Sequence, residues 1–298
     1  MFNSDLYDLT QNTQGNVWGA AMRARTVVPP PISPVMQIRA GYAESPGWLM
    51  IQAREFDPEP LTVPLLRKRA VWSAPGIMSE TLEILVGEKW LSGEGDQYIL
   101  TPAGREVLKE LQSRRQAAMQ LITPLPLDEL QELDRLLRRI LAASMVDDPW
   151  CLRYSMRRAP GTDAPLLDQI VHHFSDINAF RDDCHMAAFM PCNVEAYQWE
   201  AFTLIWQGKA STAQEILDQL VNRGYSLADY AEGLQAIQQR GWLDGNYAVT
   251  EEGRRLRQQV EDETNRLFYA PWHTALIQPE IEYLVSLLQK LHDATRPL

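Results

Sequence analysis

The chain has 298 residues, 45% of them hydrophobic, enough for one large or two medium cores and too apolar for a disordered polymer. A net charge of −11 argues against a general phosphate-gripping protein, which needs at least one basic face. No apolar run reaches the roughly 18–20 residues of a membrane helix. The start, Met1-Phe2-Asn3-Ser4-Asp5, lacks the basic and apolar segments of a signal peptide. The three cysteines, Cys151, Cys184 and Cys192, lack metal-knuckle spacing. A cytoplasmic protein with no cofactor, no metal and no membrane contact is expected.

In chain order, residues 1–35 read as a helix followed by the extended stretch Pro29-Pro30-Pro31-Ile32-Ser33-Pro34, which cannot be helical. Helices are predicted over Trp48–Phe56, Pro64–Val71 and Ser79–Val86. Lys89-Trp90-Leu91-Ser92 then opens a Gly-containing hairpin that ends in Tyr98-Ile99-Leu100-Thr101-Pro102-Ala103-Gly104-Arg105. Thr101 is an N-cap candidate for the next helix, and Gly104 sits in its first turn, where backbone from the hairpin passes close. Leu125–Ala143 carries a helical apolar stripe. Residues 146–164 read as a connector, and Leu166–Phe189 as a long helix. The order then repeats. Helices are predicted over Phe202–Gln207, Ala213–Arg223 and Leu227–Gln239, followed by Gly241-Trp242-Leu243-Asp244, then Thr250-Glu251-Glu252-Gly253-Arg254, and a last helix over Ile277–Leu291.

This self-similarity is the strongest signal in the chain. Trp242 follows Trp90 by 152 positions and Thr250 follows Thr101 by 149, so the second hairpin is three residues shorter. The order of helix, Trp-Leu, hairpin, Thr-x-x-Gly-Arg and long leucine-striped helix resembles the MarR family of winged-helix regulators over about 110 residues in each half. The second half is also similar to a narrower, uncharacterised MarR-like helix-turn-helix group of actinobacteria and relatives. The matching residues are Arg181-Asp182-Asp183-Cys184-His185-Met186-Ala187-Ala188, Val260 to Arg266, and Ala270-Pro271-Trp272. Asp182 and Cys184 stand where that group often has glycine. The resemblance implies a mainly α fold with small β-hairpin wings. Two winged helix-turn-helix modules, over 36–145 and 165–298, would lie in a pseudo-two-fold arrangement within one chain, either monomeric or paired as a homodimer.

The same resemblance implies a DNA-binding transcriptional regulator acting on double-stranded DNA and responding to a small aromatic or hydrophobic effector. The candidate DNA contacts are Arg67, Lys68 and Arg69 for phosphate, and Ser79, Thr81, Tyr230 and Gln235 in the two recognition slots. Both slots are acidic, and neither wing tip, Gly93-Glu94-Gly95-Asp96 or Asp244-Gly245-Asn246, carries arginine. That composition supports a rival reading, a winged-helix scaffold without DNA binding that serves as a small-molecule binder or protein adaptor. The candidate ligand contacts are Arg181, His185, Trp206, Trp272 and His273. The polar run His172, His173, Asp176 and Arg181 to His185 reads either as an ion-pair network or as part of that ligand site. An enzyme using its Asp, His and Cys residues is a third reading, but no catalytic motif is present.

Overall fold

A computed structural model describes residues 4–37 and 45–297. The start of the chain, Met1 to Asn3, and residues 38–44, near the start of the first predicted module, lie outside the described residues. The described chain is mainly helical with one two-stranded antiparallel sheet. Its elements are α1 (Ser4–Arg23), α2 (Pro46–Phe56), α3 (Val63–Arg69), α4 (Pro75–Gly87), β1 (Leu91–Glu94), β2 (Gln97–Leu100), α5 (Pro102–Met119), α6 (Leu127–Ser144), α7 (Trp150–Met156), α8 (Leu166–Phe189), α9 (Ala196–Trp206), α10 (Ala213–Leu220), α11 (Leu227–Gln239), α12 (Glu251–Ala275) and α13 (Gln278–Thr295). No described helix is long and apolar enough to cross a membrane.

The chain divides into two compact units, each assembled from separated segments. Unit 1 comprises Met1–Pro30, Leu108–Ala187 and Glu263–Leu298; unit 2 comprises Pro31–Val107 and Ala188–Asp262. These units cut across the sequence segments 36–145 and 165–298. Each segment gives its helix-turn-helix part to unit 2 and most of its long helices to unit 1. Sequence repeats follow chain order, whereas compactness follows contacts, and the two need not coincide.

Unit 1 is a helical bundle. The stripe Leu130, Leu133, Leu136, Leu137, Ile140 and Leu141 on α6 is buried, as its three-and-four spacing requires, and α13 supplies Ile281, Leu284, Leu287, Leu288 and Leu291 to the same core. Helix α1 packs along α13, and Arg23 Nη2 donates to the Thr295 carbonyl at 2.8 Å. Arg139 pairs with Glu280 at the start of α13, where Glu280 also accepts the Ile277 N–H at 3.1 Å. Residues 146–164, expected as a connector, contain the short helix α7. Its first N–H groups, on Cys151 and Leu152, donate to the Asp183 carboxylate on α8 at 2.8 and 3.0 Å. The acceptor that caps this helix is thus some 30 residues away, beyond the reach of local sequence reading.

Unit 2 contains two three-helix segments with similar caps and connections, α2-α3-α4 and α9-α10-α11. Thr62 caps α3 by accepting the Leu65 N–H at 3.2 Å, and Thr212 caps α10 by accepting the Glu215 N–H at 3.2 Å. After α4 the chain turns at Lys89 (φ 61°), and after α11 at Gly241 (φ 79°). The Trp90 carbonyl accepts the Thr101 N–H at 3.0 Å, and the Trp242 carbonyl accepts the Thr250 N–H at 3.1 Å. Each threonine hydroxyl accepts the N–H of its glycine, Gly104 or Gly253, at 3.0 Å. A Cβ on Gly104 would stand 2.2 Å from the Trp90 carbonyl oxygen, and one on Gly253 would stand 2.3 Å from that of Trp242. The two Trp-to-Gly closures are therefore built alike. The hairpins differ: Leu91–Leu100 form a ladder, while the shorter second hairpin keeps the single bridge Leu243↔Val249 and has its turn tied by the Asp244 carboxylate.

Candidate functional site at the two helix-turn-helix segments

In a helix-turn-helix, the reading end is the N-terminal part of the second helix. In unit 2 the two turns that precede these ends touch. The Ala74 N–H, at the N-cap of α4, donates to the Arg223 carbonyl at 2.8 Å. Gly224 (φ 78°) lies against Ile77, so close that a Cβ there would sit 3.0 Å from the Ile77 Cβ. Trp72 and Phe189 are in ring contact at 5.4 Å nearby. Arg223 is held by Glu200 at 2.8 Å; burial pushes the Glu200 carboxyl up, with Arg223 opposing. A stack of Tyr197 on Tyr225 at 4.6 Å, edged by Tyr230, completes the second turn. Ile77 is the third residue of α4, and Gly224 precedes α11 by three residues. At ordinary helix rise and chain reach, the first turns of α4 and α11 therefore stay within about 25 Å of each other. Two readers in successive major grooves need about 34 Å.

The predicted DNA contacts fall into three groups. Lys68 and Gln235 are exposed, and Ser79 is half-buried with its hydroxyl donating to the Pro75 carbonyl at 3.2 Å. Arg67 is half-buried, and Arg69 is withdrawn onto the fully buried Glu55 with Nε 3.6 Å from Oε2. The expectation for Thr81 and Tyr230 is corrected. Thr81 is buried and bonds the Ile77 carbonyl of its own helix at 2.9 Å. Tyr230 is fully enclosed, and burial raises its phenol well above the usual value. Both lie on the apolar face that each helix must turn inward, so they are core residues. The outward faces present Glu80 and Glu83 on α4, and Glu232 and Asp229 on α11. Arg240, at the end of α11, donates to the carbonyls of Cys192 and Asn193 at 3.1 and 2.5 Å.

The predicted ligand contacts are distributed over both units. In unit 1, Arg181 lies 4.3 Å over the Tyr7 ring and donates to Asn265 Oδ1 at 3.0 Å. His185 is half-buried, with Nδ1 3.1 Å from Thr264 Oγ1. Trp272 is fully buried among Phe268 and Tyr269, and His273 is exposed. In unit 2, Trp206 lines an open cleft of about 350 Å³ whose lining includes neither Arg181 nor His185. The polar run on α8 is heavily engaged. Asp176 accepts from Ser155 at 2.7 Å and faces His172, His173 reaches Asp134 at 3.0 Å, and Asp183 caps α7. No cluster of three or more metal-ligating side chains occurs among the described residues. Burial pushes the Cys184 thiol up to about 12, which keeps it protonated and a poor nucleophile. At pH 8 a maleimide is expected to modify half-buried Cys192 first and to leave Cys184 and Cys151 untouched until the protein is denatured. Peptide mapping of the labelled native protein checks this, and fast labelling of Cys184 would contradict its enclosure.

Helices α10 and α11, joined by a short turn and capped by Thr212 and Ser226, have the arrangement of a helix-turn-helix. Residues 117–297 match the family described as "Helix-turn-helix family", and since the match spans more than half of the chain, this protein belongs to that family. Membership is consistent with a DNA-binding regulator in general. No curated protein and no solved structure gives a significant match.

Proposed function

We propose that the chain is a tandem winged-helix protein, with MarR-like modules over 36–145 and 165–298 related by a pseudo-two-fold, and that it acts as a small-molecule-binding scaffold that does not read operator DNA with paired recognition helices. Support for the tandem reading comes from the equivalent closures at Trp90-Thr101-Gly104 and Trp242-Thr250-Gly253. The observation that carries the functional reading is the turn-to-turn contact between Ala74 and Arg223. It holds the two reading ends too close together for successive major grooves. The acidic outward faces of α4 and α11 add an unfavourable field next to phosphate. Fold alone does not settle this choice, because one scaffold hosts several uses.

The test is selection from random duplexes at low salt with the full chain. The expected result is no enriched sequence. The second reading, a DNA-binding transcriptional regulator responsive to an effector, is favoured by family membership and by the exposure of Lys68 and Gln235. It requires an enriched motif whose affinity falls steeply with salt. Under that reading, Lys68→Ala weakens binding across sequences and lowers the salt slope by about one. An enriched motif with this behaviour would overturn the scaffold reading.

A further inference from the structure

The two three-helix segments differ at one corner, which the first fills with a stretch of its own chain and the second leaves open. Helices α2 and α9 end at Phe56 and Trp206, and the next helices are capped by Thr62 and Thr212. In this register Asp57 corresponds to Gln207 and Leu61 to Ser211. The Thr101 and Thr250 caps likewise align Tyr98 with Tyr247 and Arg105 with Arg254.

In the first segment the stretch from Asp57 to Leu61 is held at both ends. Arg105 grips Asp57 with two hydrogen bonds, Nε to Oδ2 at 3.1 Å and Nη2 to Oδ1 at 2.5 Å. Leu61 is buried and exchanges both backbone hydrogen bonds with Tyr98 at 2.8 Å, which adds it to the edge of the hairpin. In the second segment neither hold exists. Gln207 stands where the acid was, and the Arg254 guanidinium has no hydrogen-bond or ion-pair partner among the described residues. Tyr247 (φ 61°) donates its N–H to the Asp244 carbonyl of its own turn at 3.0 Å, so it cannot exchange a pair of bonds with Ser211. Ser211 instead turns its N–H and hydroxyl to Glu215 at 2.6 and 2.8 Å. Loop and hairpin therefore part, and the gap is an open cleft of about 350 Å³ lined by Trp206, Ser211, Tyr247, Val249 and Arg254 among others. Lys209, between the lining residues Gly208 and Ala210, likewise forms no ion pair among the described residues.

We propose that this cleft docks an extended peptide of a protein partner that carries an acidic residue four positions before a leucine, with the acid on Arg254 and the leucine against Trp206 and Tyr247. The first segment is the template, because the chain's own Asp57 and Leu61 meet these needs at the equivalent corner. A guanidinium takes a carboxylate in a two-point fork, and a leucine gains by leaving water for the aromatic walls. The Tyr247 carbonyl accepts no hydrogen bond among the described residues, so it is available to a peptide N–H, as in the addition of a strand to a hairpin edge. The acid lies on Arg254 and not beside Ser211, because the Glu215 carboxylate bound there would repel it. This is a contact between proteins; it goes beyond the small-molecule reading above and does not depend on it.

The experiment is calorimetric titration of the full chain with a synthetic peptide of the template, Phe56-Asp57-Pro58-Glu59-Pro60-Leu61-Thr62, acetylated and amidated so that no terminal charge competes. The peptide is expected to bind. Its Asp57→Asn and Leu61→Ala versions should each bind about 10-fold more weakly, the size of effect that losing a charge-assisted contact or a buried apolar side chain gives. In the protein, Arg254→Gln should weaken the parent peptide by a similar factor. So should Gln207→Asp, which supplies the acid from the chain itself, and both variants should keep the parent melting temperature. Absence of peptide binding at millimolar concentration, equal binding of the Asp57→Asn peptide, or binding indifferent to Arg254→Gln overturns the proposal. Displacement of the peptide by an equal concentration of free acetate also overturns it, since a carboxylate alone would then account for the binding. The duplex selection is independent of this titration: an enriched operator removes the scaffold reading and leaves the peptide result standing.

Discussion

Gly104→Ala is expected to destabilise the protein by about 3 kcal/mol or more, at the upper end of what overpacking costs. The added Cβ would stand 2.2 Å from the Trp90 carbonyl oxygen and 3.0 Å from its carbonyl carbon. The obstacle is backbone, so no side-chain rotation relieves it. That backbone cannot retreat freely, because the same carbonyl accepts the Thr101 N–H and anchors the cap of α5. Gly253→Ala should cost a comparable amount for the same reason, with 2.3 Å to the Trp242 oxygen. Gly76, in the first turn of α4, is the internal control. An added Cβ there meets nothing within 4 Å, so Gly76→Ala should be neutral or stabilise by up to about 1 kcal/mol through helix propensity. Thermal and urea unfolding of the three variants check the ordering. A Gly104→Ala protein as stable as the parent would mean that the hairpin does not pass against α5 as described.

Trp272→Ala is expected to cost about 3–5 kcal/mol, the range for removing a large aromatic side chain from a core. Trp272 is 0% exposed and sits 5.6 Å, ring to ring, from both Phe268 and Tyr269; Phe268 in turn meets Tyr7 and Phe180. No rearrangement short of unpacking α12 fills the space the indole leaves. The same substitution separates the core role from the ligand-contact role that the sequence offers for this residue. A ligand-wall tryptophan would leave the melting temperature nearly unchanged and lose binding, whereas a core tryptophan lowers the melting temperature by many degrees. A loss below about 1 kcal/mol would contradict the core role.

The two substitutions bracket what could be read before any coordinates. The Trp-Leu, Thr-x-x-Gly-Arg recurrence announced both closures down to the glycine. Its chemistry is local: a threonine hydroxyl reaches the N–H three residues on, and a neighbouring backbone excludes a Cβ. The helix spans were legible for the same reason. Leu166–Phe189 and Leu227–Gln239 match α8 and α11 to the residue, because apolar periodicity and caps lie within a few positions of one another. Helix α9 begins six residues before its predicted start, since Glu195 and Gln198 form a capping box upstream of the apolar run.

The candidate site was less legible. Ser79, Thr81, Tyr230 and Gln235 share two helices, but which of them faces outward depends on the helix's rotation against its neighbours. Thr81 and Tyr230 turned inward, while Gln235 stayed at the surface. Arg67, Lys68 and Arg69 look like one basic patch in a string of letters, yet a buried Glu55 on α2 draws Arg69 away. By itself, then, the sequence determined that this protein is a mainly helical chain with a helix-turn-helix domain and two like, glycine-dependent hairpin closures, since those features are written in contacts three or four residues long. The tertiary structure alone decided that the chain's halves are shared between two compact units, that the turns at Ala74 and Arg223 meet, and that Arg105 is neutralised while Arg254 is not. Each of these depends on groups brought together from about 50 to 150 positions apart, where side-chain packing selects the partner and no local period records it.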